Sequence, residues 1–151
     1  MNFRFEELRI LHNYTKTQVS DYLGVSKKAY NNWENNKESI PTRRLIQLSN
    51  LYEINIDYLV GITNTKLKKK SSNNPNIIEI GKRVREIRVE LNLTLRELAD
   101  ILSISNSTWS KYETGINLIQ FSFLIKTCKM SGISVDYILG RTKVKYLKDL
   151  Y

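Results

Sequence analysis

The sequence predicts an all-α protein built from two tandem five-helix domains. Three observations lead there: the chain repeats itself at a fixed offset, apolar residues recur at helical spacing, and matching helix-start signals stand in both copies. Sliding the 151-residue chain against itself aligns residues 5–63 with 84–142 without a gap. Identical pairs include Arg9/Arg88, Thr15/Thr94, Asp21/Asp100, Leu23/Leu102, Ser26/Ser105 and Glu34/Glu113. Such self-similarity over a domain-sized period is the mark of a tandem duplication.

Each element can be justified in order. In the first helix, Phe5, Leu8 and His12, or Val84, Ile87 and Leu91, fall three and four residues apart, as on one helix face. His12 on that face reads as a partly packed structural histidine rather than a base or a ligand. Thr15 with Gln18, and Thr94 with Glu97, fit capping boxes that start a second helix, which runs to about Tyr22 or Ile101. A tight turn follows. Gly24 suits a left-handed turn residue, and Ser103 stands at its place in the second copy. Ser26 and Ser105 can cap a third helix, whose inner face carries Tyr30 and Trp33, or Trp109 and Tyr112. A fourth helix is expected over 42–52 and 120–131, and a fifth over 56–60 and 135–139. Asp57 and Asp136 are expected to cap or brace that last helix. Cys128 lies within the fourth helix of the second copy as a small, partly buried residue.

These readings divide the chain into a first domain, 1–63, a linker, 64–76, a second domain, 77–142, and a tail, 143–151. The linker is polar and turn-rich with nothing evident to pack, so it is expected to be flexible. As a 13-residue coil it would average about 20 Å end to end and stretch to about 45 Å. The net charge of +9 is concentrated outside the domains, with +4 in the linker and +2 in the tail. An anionic partner is implied. The tail could form a short helix.

Composition narrows the function. No apolar run reaches the roughly 18 residues of a membrane helix, and the N-terminus lacks the pattern of a secretion signal. One Cys excludes an intramolecular disulfide and a multi-cysteine zinc site. A reduced, cytoplasmic setting is expected, with no metal, no cofactor and no evident small-molecule ligand. One His, the absence of a glycine-rich phosphate loop and the absence of an evident carboxylate pair argue against an enzyme.

The motif Thr15-x-x-Gln18-Val19-Ser20-x-x-Leu23-Gly24-Val25-Ser26, then Tyr30-x-x-Trp33-Glu34-Asn35, resembles the phage repressor/Cro-type (XRE-like) helix-turn-helix domain. So does Thr94-x-x-Glu97-Leu98-Ala99-x-x-Leu102-Ser103-Ile104-Ser105, then Trp109-x-x-Tyr112-Glu113. The resemblance implies two repressor-like helix-turn-helix domains, with Ser20 and Ala99 as the small residues where helices cross. It also implies structural salt bridges, Arg9 with Glu34 and Arg88 with Glu113, joining the first helix to the end of the third.

By position in that motif, base-reading residues would be Lys27, Lys28, Asn31 and Asn32 in copy one, and Asn106, Ser107, Ser110 and Lys111 in copy two. Their chemistry fits: Lys donates to guanine O6 and N7, Asn pairs with adenine, and Ser reads permissively. Phosphate contacts, which position without reading sequence, are expected from Lys16, Lys37, Arg43 and Arg44. Copy two has Leu95 where Lys16 stands, with Arg96 beside it as the substitute. The expected function is a sequence-specific double-stranded DNA-binding transcriptional regulator of the repressor type, bacterial, phage or mobile-element in character. Further partners would be a second copy, as a homodimer, or another regulatory protein. An alternative is a protein-interaction module on the same fold, prompted by Leu95 and the apolar stretch 118–123, or a hybrid in which only copy one reads DNA.

Overall fold

The structure, a computed structural model, describes residues 2–150. Its chain falls into two compact units that divide between Asn73 and Asn74. The first contains α1 (Phe5–Leu11), α2 (Lys16–Leu23), α3 (Lys27–Glu34), α4 (Thr42–Leu51) and α5 (Ile56–Leu59). The second contains α6 (Ile77–Glu90), α7 (Leu95–Leu102), α8 (Asn106–Glu113), α9 (Phe121–Ser131) and α10 (Val135–Ile138). The described residues form no strand, only two isolated bridge pairs.

Each unit buries one aliphatic and aromatic core. In the first, Phe5, Leu8, Val19, Leu23, Tyr30, Leu45, Leu48 and Leu59 are all but inaccessible. In the second, Val84, Ile87, Leu98, Leu102, Trp109, Leu124 and Ile138 play the same part. The duplication extends to backbone conformation. Five left-handed positions recur at the same offset: Asn13/Asn92, Gly24/Ser103, Asn36/Gly115, Glu53/Gly132 and Gly61/Gly140. Every inter-helix turn is therefore made the same way twice, whichever residue occupies it.

The helix starts show how local chemistry sets the elements. Thr15 Oγ1 accepts from Gln18 N–H at 3.1 Å while Gln18 Oε1 accepts from Thr15 N–H at 2.9 Å, a complete reciprocal box. In copy two only half of it forms. Thr94 Oγ1 accepts from Glu97 N–H, but its own hydroxyl donates to the Glu97 carboxylate, which is thereby drawn off the backbone.

Three features depart from the sequence reading. First, 64–76 is not a flexible spacer. Asn55 N–H donates to Leu67 O and Asn55 Oδ1 accepts from Leu67 N–H, Lys69 N–H donates to Glu53 O, and Ile54 pairs with Lys68 as an antiparallel bridge. Beyond it, buried Asn50 accepts from Ser71 N–H and donates to Ser71 O and Asn73 Oδ1, each at 2.8–2.9 Å. Residues 65–73 thus form a strap along the α4–α5 corner. A lysine-rich composition hides this, because the bonds are made by main chain and by the side chains of Asn50, Asn55 and Asn73.

Second, the tail is the equivalent strap of the second unit. Ser134 N–H donates to Lys145 O, Leu147 N–H donates to Gly132 O, and Ile133 pairs with Tyr146. Leu147–Asp149 makes one 3-10 turn, Leu150 is buried, and the Lys145 ammonium is held by Glu86 and Glu90. Third, α6 has 14 residues against 7 in α1. The added turns start at Asn76, which caps Glu79 N–H, and they bring Gly81 against the end of α8.

Candidate nucleic-acid interface

The site is built on the α2–turn–α3 and α7–turn–α8 corners. At the first, Gly24 adopts φ 69°, ψ 34°, and closes α2. Ser20 is buried, with its hydroxyl donated to Thr17 O. At the second, Ser103 adopts the same left-handed conformation, φ 57°, ψ 42°, and Ala99 is buried. The turn therefore survives the loss of glycine, at the steric cost that a Cβ carries there. Ser26 then accepts from Ala29 N–H at 3.1 Å and Ser105 from Thr108 N–H at 3.0 Å, fixing where α3 and α8 begin.

A second tie fixes the other end. Arg9 donates from Nε to Glu34 Oε2 at 3.0 Å and from Nη2 to Oε1 at 2.8 Å, with Nη1 on Tyr14 O. Arg88 grips Glu113 and Leu93 O in the same way. Both carboxylates are nearly inaccessible, and hydrogen bonding to them raises both guanidinium pKa values. Each pair joins the first helix and the turn after it to the last residue of the third. In copy two Trp109 Nε1–H also donates to Glu113, at 2.8 Å. In copy one Tyr30 stands at that place, and its buried hydroxyl lies against Glu34 and the buried hydroxyl of Tyr52.

With the inner faces of α3 and α8 packed, the outer faces carry the positions expected to read bases. Lys27 and Lys28 are exposed, and Asn31 and Asn32 half-buried. Both asparagines are already engaged. Asn31 Oδ1 accepts from Lys16 Nζ at 2.6 Å and from Asn35 Nδ2 at 3.1 Å. Asn32 Nδ2 donates to Glu38 Oε1 at 3.1 Å. In α8, Asn106, Ser107 and Lys111 are exposed and Ser110 is half-buried.

Among the residues expected at phosphates, Lys37, Arg43 and Arg96 are exposed and Lys16 lies half-buried against Asn31. Arg44 is used differently. Its Nη1 donates to Leu23 O at 2.7 Å and to Gln47 Oε1 at 2.9 Å, so it braces α4 against the last turn of α2. The apolar stretch of copy two is largely core: Ile119 and Phe121 are buried, and Leu95, Leu118 and Phe123 are half-buried. The patch that prompted the interaction-module reading is thus mostly internal.

Arginines with structural roles escaped the sequence reading. Arg4 and Arg83, an equivalent pair, lie over the rings of Tyr58 and Tyr137 and tie the start of each unit to its fifth helix. Buried Arg141 pairs with Asp136 at 2.9 Å, bracing α10. His12, expected on the apolar face of the first helix, is instead exposed at the C-cap of α1, with its ring against Tyr52 at 4.9 Å. Among the described residues no His, Cys, Asp and Glu group could hold a metal ion, and no helix is long and apolar enough to cross a membrane.

Family comparison agrees with this geometry. A helix-turn-helix model matches residues 5–59, and a helix-turn-helix domain model matches residues 81–144. Both repeats belong to the helix-turn-helix family. The paired helix-turn-helix domains span most of the chain. Similar curated proteins include the uncharacterized HTH-type transcriptional regulator YobD of Bacillus subtilis, 32% identical over 60 residues, or 40% of this chain and 54% of YobD. The HTH-type transcriptional regulator ImmR of the same organism is 33% identical over 67 residues, or 44% of this chain and 53% of ImmR. The chain spans about half the length of the curated relatives it matches.

Proposed function

We propose that this chain is a sequence-specific double-stranded DNA-binding transcriptional regulator of the repressor type, reading the major groove with α3 and α8. One observation carries the reading. In both units a capped, braced helix follows a helix-turn-helix corner and presents polar and basic side chains outward. That geometry matches an element that inserts in the major groove with its N-terminal residues on base edges.

Lys27, Lys28, Asn31 and Asn32 are the proposed readers in copy one, and Asn106, Ser107, Ser110 and Lys111 in copy two. Lys16, Lys37, Arg43 and Arg96 are the proposed phosphate contacts. Lys16 carries a second duty, because reading adenine through Asn31 requires Oδ1 to exchange Lys16 or Asn35 for the adenine amino group. On DNA the released ammonium would turn to phosphate.

The reading is tested by titrating the chain with a selected duplex across a range of salt. Four phosphate contacts correspond to a log–log salt slope of about −3 to −4. Lys37→Ala or Arg43→Ala should flatten it by about 1, whatever the base sequence. Asn31→Ala should instead cost about 1–3 kcal/mol on the preferred site and relax the choice of base there. Binding without sequence preference, or a slope near zero, would defeat the proposal.

A further inference from the structure

The strap over 65–73 bears on which DNA the two reading heads can share. Asn73 is still tied to the first unit, its Oδ1 accepting from buried Asn50, and Asn76 is already fixed in the second as the cap of α6. Only Asn74 and Pro75 lie between them. Three virtual bonds of about 3.8 Å limit the tether to roughly 11 Å, against the roughly 45 Å of an unpacked 13-residue spacer. A domain of this size has a radius of gyration of about 11 Å, hence an equivalent radius of about 15 Å. With each head seated over its own half-site, the two centres can then stand no more than about 40 Å apart. Half-sites one helical turn apart, about 34–36 Å, fall within that limit. Half-sites two turns apart, about 70 Å, fall outside it, whereas the unpacked spacer would have spanned them.

We infer that the strap is a specificity device: by packing on its own domain it sets the spacing of the operator, so that one chain engages two half-sites one helical turn apart and rejects a two-turn spacing. This rests on the proposed DNA-reading function and adds a rule that the reading helices themselves do not supply. The residues that enforce it are Asn50 and Asn55, whose side chains hold the strap far from either reading face in sequence.

The test uses the full chain and three duplexes carrying selected half-site sequence: one half-site alone, two half-sites 10–11 base pairs apart, and two about 21 base pairs apart. Tethered heads on adjacent sites gain effective concentration, so the one-turn duplex should bind at least about 100-fold tighter than the single half-site. The two-turn duplex should bind within about twofold of the single half-site. A 20-residue Gly-Ser insertion between Asn74 and Pro75 leaves both folds and both straps intact. It should tighten binding to the two-turn duplex at least tenfold.

Equal binding of the native chain to both spacings would overturn the inference, as would an insertion that leaves the two-turn duplex unimproved. A one-turn duplex no tighter than a single half-site would also overturn it, while leaving DNA reading by one head standing. No binding to any of the three would remove the DNA-reading proposal itself.

Discussion

Gly81→Ala separates the packing described above from helix propensity, because the two call for opposite signs. Gly81 sits inside α6, where replacing glycine with alanine ordinarily stabilises a helix by about 0.8–1 kcal/mol. Here a Cβ would lie 2.6 Å from both Glu113 O and Tyr112 O and 3.0 Å from Glu113 C. Those atoms are main chain at the end of α8, and Glu113 is also the carboxylate that holds Arg88 and Trp109. Relief therefore requires the two helices to move apart. Overpacking of this kind costs about 1–3 kcal/mol, toward the upper end when backbone meets backbone. Subtracting the propensity gain leaves a net loss of about 1–2 kcal/mol. For a domain of this size that is roughly 5–15 °C in melting temperature. Hydrogen exchange resolved by peptide would assign the loss to the second unit, with 1–73 unchanged. Unchanged or raised stability of 74–151 would refute the close crossing of α6 and α8.

Three further outcomes follow from the same geometry. Arg9→Ala leaves Glu34 buried without its cation and should destabilise the first unit by about 3 kcal/mol or more in denaturant unfolding; a loss under 1 kcal/mol would mean that the pair does not hold α3. Ser103→Gly removes a Cβ from a left-handed residue and should raise the stability of the second unit by about 0.5–1 kcal/mol, measured as a shift in denaturation midpoint. Burial pushes the Tyr30 and Tyr52 hydroxyls well above the ordinary tyrosine value. Their folded pKa values are raised, so their contribution is intact below about pH 10 and is lost as pH climbs beyond it. Stability of the first unit should fall above pH 10 more steeply than that of the second, where Tyr112 is raised by burial, and Tyr30→Phe should reduce the difference.

Much of this was legible in the sequence for a stated physical reason. Helix starts depend on side chains that announce themselves, so Thr15, Ser26, Thr94 and Ser105 placed α2, α3, α7 and α8 to within a residue or two. Apolar spacing marked the inner faces of the same helices. The strap was not legible, since its bridge uses backbone groups and Lys68 and Lys70 merely lie near Glu53 at 4.0 and 3.7 Å. Gly81 was not legible either. It lies outside the aligned repeat, and only the longer α6 gives it a neighbour. Arg44 illustrates a third limit: a cation's position beside the motif says nothing about whether the chain has its own carbonyl waiting for it, as Leu23 O does here.

The account's central claim is that α3 and α8 read duplex DNA by sequence. The most direct measurement is selection of bound duplexes from a random library with the intact chain, run beside the Lys27→Ala/Asn31→Ala double variant. The expected result is a motif of two half-sites about one helical turn apart, one of which loses its base preference in the variant. Recovery of no motif, or of the same motif from both proteins, would contradict the claim.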